Sequence, residues 1–391
     1  MRLFALVLAL SASGAALAAA PATKATFPQP LPEEPIPTVA ALGAEWPASW
    51  VLIHDFNFNS IVDGRVMVVD TTSPERPVRG MVRAAQFANM LVSPKRREIL
   101  TSETFYSRLT RGERTDAVTI WDMATLQPKG EIVMPGGKRQ QSVTYPQLFQ
   151  FTNAEKWALV ANFTPAQTVS VLDLDARKVI AEIDLPGCAQ LYPTGLRGFT
   201  SFCADGAMLS IALGPDGQVA SSKTIANVQD IDNQPLFSTP VWIGQKAWFV
   251  SYHGQIQGFD FSGDVAKAMP GSFSVGTAEG GAPEWRPGGW QVITADAAGK
   301  LYVLMSPNGR EGSHKDGGTE VWVVDPASRT RIARIPLRAT ATSIGVTKEA
   351  IPRLIAARVD GIIDVHDAAS GAFLRTLGTA GGANPILITL P

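Results

Sequence analysis

The chain has 391 residues with 34 basic and 35 acidic side chains, a balance that gives no support to nucleic-acid binding, which wants a basic face. That length suits two ordinary domains or one large repeat fold. Two cysteines point to one disulfide rather than a metal site if the protein is exported.

Export is what the first residues predict. Met1-Arg2 leads into an apolar run, Leu3 to Leu10, and then into small residues ending Ala16-Leu17-Ala18. A single positive charge, a short apolar core and an A-x-A site make residues 1–18 a secretory signal peptide. The apolar core is shorter than the roughly 20 residues a bilayer span needs. No later stretch is long and apolar enough, so no membrane span is expected, and the expected destination is a bacterial periplasm. Residues 19–45 are rich in proline (Pro28, Pro30, Pro32, Pro35, Pro37) and read as an extended arm, because proline fixes φ and removes donors.

From residue 46 to 391 one pattern recurs: alternating or apolar residues, an Asp, a short turn, then a second strand. Its copies are Val66–Asp70, Val118–Asp122, Val169–Asp173, Ile256–Asp260, Val321–Asp325 and Ile363–Asp367, with a degenerate one at Leu209–Leu213. The turns carry Gly, Pro, Asp or Ser, which favour chain reversal. No segment holds a long 3.6-residue period, so helices should be few. Many short strands repeating about every fifty residues fit an all-β, seven-bladed β-propeller of four-stranded antiparallel blades, since one such unit cannot bury both faces alone. The aspartates are expected to accept from backbone amides two residues on, a structural role rather than a metal one. Cys188 and Cys203, flanked by Pro186-Gly187 and Asp205-Gly206, suit a disulfide across a hairpin-like turn, worth about 3 kcal/mol on the chain-entropy model.

A search for chemistry finds little. His54, His253, His314 and His366 lack metal-ligand spacing, and there is no nucleophile elbow, phosphate loop or dinucleotide fingerprint. Neither a catalytic residue nor a metal site is expected in this chain. Two dense stretches remain. Thr104 to Asp116 carries Arg108, Arg111 and Arg114 among Glu103, Glu113 and Asp116, either an ion-pair network within a long hairpin or a loop that docks on a partner. Trp285-Arg286-Pro287-Gly288-Gly289-Trp290 brackets a turn with two tryptophans, better read as blade packing than as a partner anchor.

These words, with Gly312-Ser313-His314-Lys315 and the cysteine pair in its setting, resemble the heavy chains of methylamine and aromatic amine dehydrogenases. The resemblance runs from about residue 50 to the C-terminus, and that family's fold agrees with the repeat count. It implies a heterotetramer of two heavy and two light chains that oxidatively deaminates primary amines to aldehyde and ammonia. Tryptophan tryptophylquinone and the proton-abstracting base would then lie on the disulfide-rich light chain, with no cofactor in this one. A blue copper protein (azurin- or amicyanin-like) would accept the electrons. The family places one heavy-chain phenylalanine at the mouth of the substrate channel. In His54-Asp55-Phe56-Asn57-Phe58-Asn59 this corresponds to Phe58, with Phe56 the competitor, and the alternative for Phe58 is a place in the core of the first blade. Arg108, Arg111, Arg114, Asp116 and His314 become candidates for docking the light chain. Phe261–Asp264 and Arg310–Lys315 look closer to the aromatic amine branch. The alternative reading is a free-standing periplasmic propeller that binds a protein or small ligand. An enzyme with its own site in the central channel is disfavoured, because no carboxylate, His or Cys cluster recurs at equivalent positions.

Overall fold

The computed structural model describes residue 32 and residues 40–43, 45–141, 144–275 and 284–391. The segment expected to be a signal peptide and most of the expected proline-rich arm lie outside the described residues. What is described is antiparallel sheet joined by turns, with three single-turn 3-10 segments as the helical content among the described residues.

Each copy of the repeat forms the third strand of a four-stranded meander. Arg65–Asp70, Arg111–Asp122, Thr168–Asp173, Met208–Leu213 and Gln255–Asp260 lie in five separate sheets, and each pairs with the strand that follows it. The terminal aspartates act as expected. Asp70 accepts from the Thr72 N–H at 2.9 Å, Asp260 from Ser262 at 2.9 Å and Asp325 from Ala327 at 2.9 Å. Asp122 takes two amides at once, from Ala124 and Thr125, and these bonds hold its carboxyl below the usual range.

The expectation of seven separate blades is met at five. The copies ending at Asp325 and Asp367 share one eight-stranded sheet. The reason is a single strand, Thr330–Val346, of 17 residues. Its first half pairs with Gly318–Asp325 and its second with Arg353–Arg358. No Gly, Pro or Asp lies between Pro336 and Gly345 to turn the chain, so the β-branched and apolar run stays extended.

The first sheet is closed by the end of the chain. Pro385–Thr389 pairs with Trp50–Asp55 along Leu52↔Thr389, Ile53↔Ile388 and His54↔Leu387, so the first and last units are joined by ladder hydrogen bonds. Cores form between neighbouring sheets. Val51, Ile53, Val69 and Ile388 of the first pack on Ile355 and Val365 of the last, and Tyr192, Phe249, Phe259 and Phe261 fill the gap between the fourth and fifth. Cys188 and Cys203 face each other across adjacent strands and are bonded.

Candidate functional site

The meander dictates where distant residues meet. In every unit the turn from second to third strand and the passage from fourth strand to the next unit lie at the same end. Phe58, Tyr252, His314 and Val359 sit on second-to-third connections; Tyr145, Phe237, Trp290 and Asn384 sit on passages. These side chains converge on a cavity of about 490 Å³, which Lys315 and Arg358 also line.

Five Phe, Tyr or Trp side chains are among its lining residues. Tyr145 stacks on Trp290 with centroids 5.4 Å apart, and Tyr252 stacks on His314 at 4.0 Å. Phe237 meets Tyr252 edge-on at 4.6 Å. Phe56 lies beneath, edge-on to His54 at 4.5 Å, to Phe58 at 6.0 Å and to Trp290 at 6.4 Å. The double glycine makes this possible. Gly289 has φ 137°, its N–H donates to the His314 carbonyl at 2.9 Å, and a Cβ there would come within 2.4 Å of the Thr342 carbonyl oxygen. Trp290 is thereby delivered to the cavity, while Trp285 at the other end of the turn packs on Trp322. Blade packing thus describes one tryptophan of the pair and not the other.

Of the two candidate phenylalanines, Phe58 is 49% exposed and lines the cavity, whereas Phe56 is 2% exposed beneath it. Asn57 between them has φ 47°, which breaks the strand's alternation and turns the second ring outward. That turn is held by a buried carboxylate. Asp55 accepts from the N–H groups of Asn57 (2.9 Å), Ala383 (3.0 Å) and Asn384 (2.8 Å), and Asn384 Oδ1 accepts from the Phe58 N–H at 2.9 Å. The loop carrying Phe58 is therefore tied to the closing strand.

Two histidines near the cavity are held towards the neutral form. His54 is fully buried, and desolvation lowers its pKa to about 3; neither ring nitrogen has a hydrogen-bond partner. Burial, and then the Lys315 charge, also push His314 down. Among the described residues, the cavity lining includes no carboxylate, and no group of three or more His, Cys, Asp or Glu could hold a metal ion.

The docking candidates fall into two groups. Arg108 and Arg111 pair at the exposed tip of the hairpin Glu98–Arg108 and Arg111–Asp122, with Leu109 between them 77% exposed. Arg114 and Asp116 are engaged internally. Asp116 is buried, takes both Arg114 Nε and Nη2 at 3.0 Å, and accepts the Thr104 hydroxyl at 2.6 Å and the Arg139 N–H at 2.9 Å. His314 lies apart from them, on the cavity wall. Phe261, one of the residues suggesting the aromatic amine branch, is buried between sheets, while Arg310–Lys315 leads into the cavity. Tyr145, Phe237, Tyr252, Asp55 and Arg139 were not singled out by sequence. The signal that could have found the aromatic ones is their position, each on a connection at the same end of its unit.

Comparison with known proteins agrees with this picture. The chain is 28% identical to the methylamine dehydrogenase heavy chain of Methylorubrum extorquens over 74% of its length and 70% of the relative's. It is 29% identical to that of Paracoccus versutus over 74% and 67%. Among solved structures it resembles a functionally unknown protein from Desulfotomaculum acetoxidans, with a TM-score of 0.57 and 12% identity over 88% of this chain and 99% of that one. The latter likeness concerns the fold alone. With residues 48–391 matching the model of the methylamine dehydrogenase heavy chain, the chain belongs to the methylamine dehydrogenase heavy chain family.

Proposed function

We propose that this chain is the cofactor-free subunit of a periplasmic amine dehydrogenase, and that the cavity end of the ring seats a quinone-bearing light chain with Phe58 at the amine's way in. The observation that carries the reading is Phe58 itself: half exposed, fixed by Asp55 and Asn384, and set on a cavity with aromatic walls and no carboxylate among its described lining residues. The base for the α-proton would then lie on the light-chain partner that family membership implies.

The surface around the cavity fits such a partner. Leu109, Phe105, Phe163 and Val359 are exposed at this end, and large apolar side chains exposed on the same face as a cavity are what a partner surface would cover. Arg108 and Arg111 flank Leu109 and are the arginines available for docking, together with His314. Arg114 and Asp116 would act indirectly, by stiffening the hairpin. We further propose that the eight-stranded sheet works as two blades divided near residues 337–340, which makes the ring seven-bladed, and that two heavy and two light chains assemble. A blue copper protein would take the electrons. The substrate is a primary amine; an aromatic preference rests on the Arg310–Lys315 stretch alone, since Phe261 is far from the cavity.

The test is purification from the native periplasm. A small, disulfide-rich subunit with quinone absorbance should accompany the chain in equal amount, and the chain expressed alone should neither absorb as a quinone nor oxidise amines. In the complex, Phe58→Ala should change the ratio of kcat/KM for benzylamine over methylamine by about tenfold, the scale on which a pocket sorts by size. Activity from the heavy chain alone, or the absence of any stoichiometric partner, would sink the proposal.

A further inference from the structure

Phe58 has a second aromatic neighbour at its side. Phe87, half-buried on the passage between the first and second blades, lies with its ring centroid 6.3 Å from that of Phe58. Its backbone is unusual. Gln86 and Phe87 are consecutive non-glycine residues in left-handed conformation, with φ 56° and 53°, which L-residues adopt only when their surroundings impose it.

Arg139 imposes it. Its Nη2 donates to the Gln86 carbonyl at 2.7 Å and its Nη1 to the Phe87 carbonyl at 3.0 Å. The rest of the guanidinium is anchored through Nε to Thr104 Oγ1 at 3.0 Å. The Arg139 N–H reaches Asp116, which Arg114 clamps in turn. Only a planar fork of donors can hold two successive carbonyls while a third donor fixes its own orientation. Arg139 is 2% exposed, and burial lowers its pKa to about 10 against the pull of Asp116, so it stays charged at neutral pH. The same turn is bonded to the Phe58 loop. The Gln86 N–H donates to the Ile61 carbonyl at 2.7 Å and the Ala84 N–H to the Gly64 carbonyl at 2.9 Å. From the other side, the Ala85 N–H donates to buried Glu103 at 2.9 Å. The two rings therefore stand on one cross-braced platform.

We infer that Phe87 is a second wall of the amine's way in, determining specificity jointly with Phe58, and that Arg139 is the positioning residue that holds it there. The inference rests on the reading of Phe58 given above. It also gives the Arg114–Asp116 pair a function other than docking, since that pair fixes the backbone of Arg139.

The experiment uses the heavy chain assembled with its own light chain, with kcat and KM measured for methylamine and benzylamine. Phe87→Ala should move the benzylamine-to-methylamine ratio of kcat/KM about fivefold or more, in the same direction as Phe58→Ala. The double variant should move it by less than the product of the two, because contacting residues couple. Arg139→Lys should move the ratio in the same direction through the KM of benzylamine, and should speed hydrogen exchange at the Ala85 and Gln86 amides. Should Arg139→Lys not accumulate as folded chain, Thr104→Val asks the same question by removing the acceptor of Nε, together with that hydroxyl's bond to Asp116. If Phe58→Ala shifts the ratio and Phe87→Ala leaves it within about twofold, the inference is wrong and the reading of Phe58 stands. If neither shifts it, both fall. Faster exchange in Arg139→Lys with an unmoved ratio would reduce Arg139 to a structural residue.

Discussion

Replacing His54 by leucine removes a titration that acidification turns against the fold. His54 is fully buried, its folded pKa is about 3, and its unfolded value is the ordinary 6.5. Between those values the unfolded chain binds a proton that the folded chain refuses, so acid favours unfolding. The neutral imidazole's contribution is therefore complete above pH 6.5 and is lost as pH falls towards the folded pKa, at about 1.4 kcal/mol per pH unit. At pH 5 the loss from this one residue is about 2 kcal/mol, a sizeable share of a stability of about 5–15 kcal/mol. Leucine has a similar volume and no proton to gain. Urea denaturation from pH 7.5 to pH 5 should show the wild-type chain losing about 2 kcal/mol more than His54→Leu. His314 is pushed in the same direction but is present in both proteins, so it cancels. Equal losses in the two would refute the claim that His54 is buried and neutral beneath Phe56.

Other perturbations test the frame of the site. Asp55→Asn keeps one acceptor oxygen for Asn57 and Asn384 but turns an amide N–H towards the Ala383 N–H, so the denaturation midpoint should reflect a loss of about 2–3 kcal/mol. Removing the disulfide with Cys188→Ser and Cys203→Ser opens a loop with a sequence separation of 15 and should cost about 3 kcal/mol, measured the same way under oxidising conditions. Leu109→Glu places a charge at the exposed hairpin tip and should weaken light-chain binding by about tenfold, equivalent to about 1.4 kcal/mol, with the melting temperature of the isolated heavy chain unchanged. Unaltered binding by analytical ultracentrifugation would move the docking surface elsewhere.

The repeat was legible because each third strand states its own boundaries. Val118–Asp122 alternates between two faces and ends in an Asp whose carboxyl takes the turn's amides, so local physics and fold agree. The fused sheet was not legible from that pattern. Residues 337–342 carry no turn signal, and the strand simply continues into the next unit. The arginine-rich stretch was legible as a choice, not as an answer. Arg114 and Arg111 are three residues apart on one strand, yet one faces Asp116 and the other the hairpin tip. What decides is a partner in another segment, Arg139, which nothing in Gly136-Gly137-Lys138-Arg139 distinguishes from a surface base. Phe56 against Phe58 was undecidable for a similar reason, since one left-handed residue, Asn57, reverses what strand parity would say.

The cavity was beyond single-segment reading altogether, and the cause also bears on how such a site can change. Its aromatic residues come from connections that share an end of the ring and nothing else, so no spacing in the chain relates Tyr145 to Trp290 or Tyr252 to His314. Connections are where substitutions cost least, because the sheets beneath them carry the buried core. Phe58 and Phe87 depart from that rule. Each stands on a left-handed backbone held by a buried charge, Asp55 in one case and Arg139 in the other. Buried charges are costly to place and costlier to orphan, since removing one partner leaves the other unpaired. Spending two of them on two neighbouring loops is intelligible if the positions of those rings must be kept to within a fraction of an ångström. Size selection at an opening demands that tolerance, whereas mere attachment of a partner surface does not.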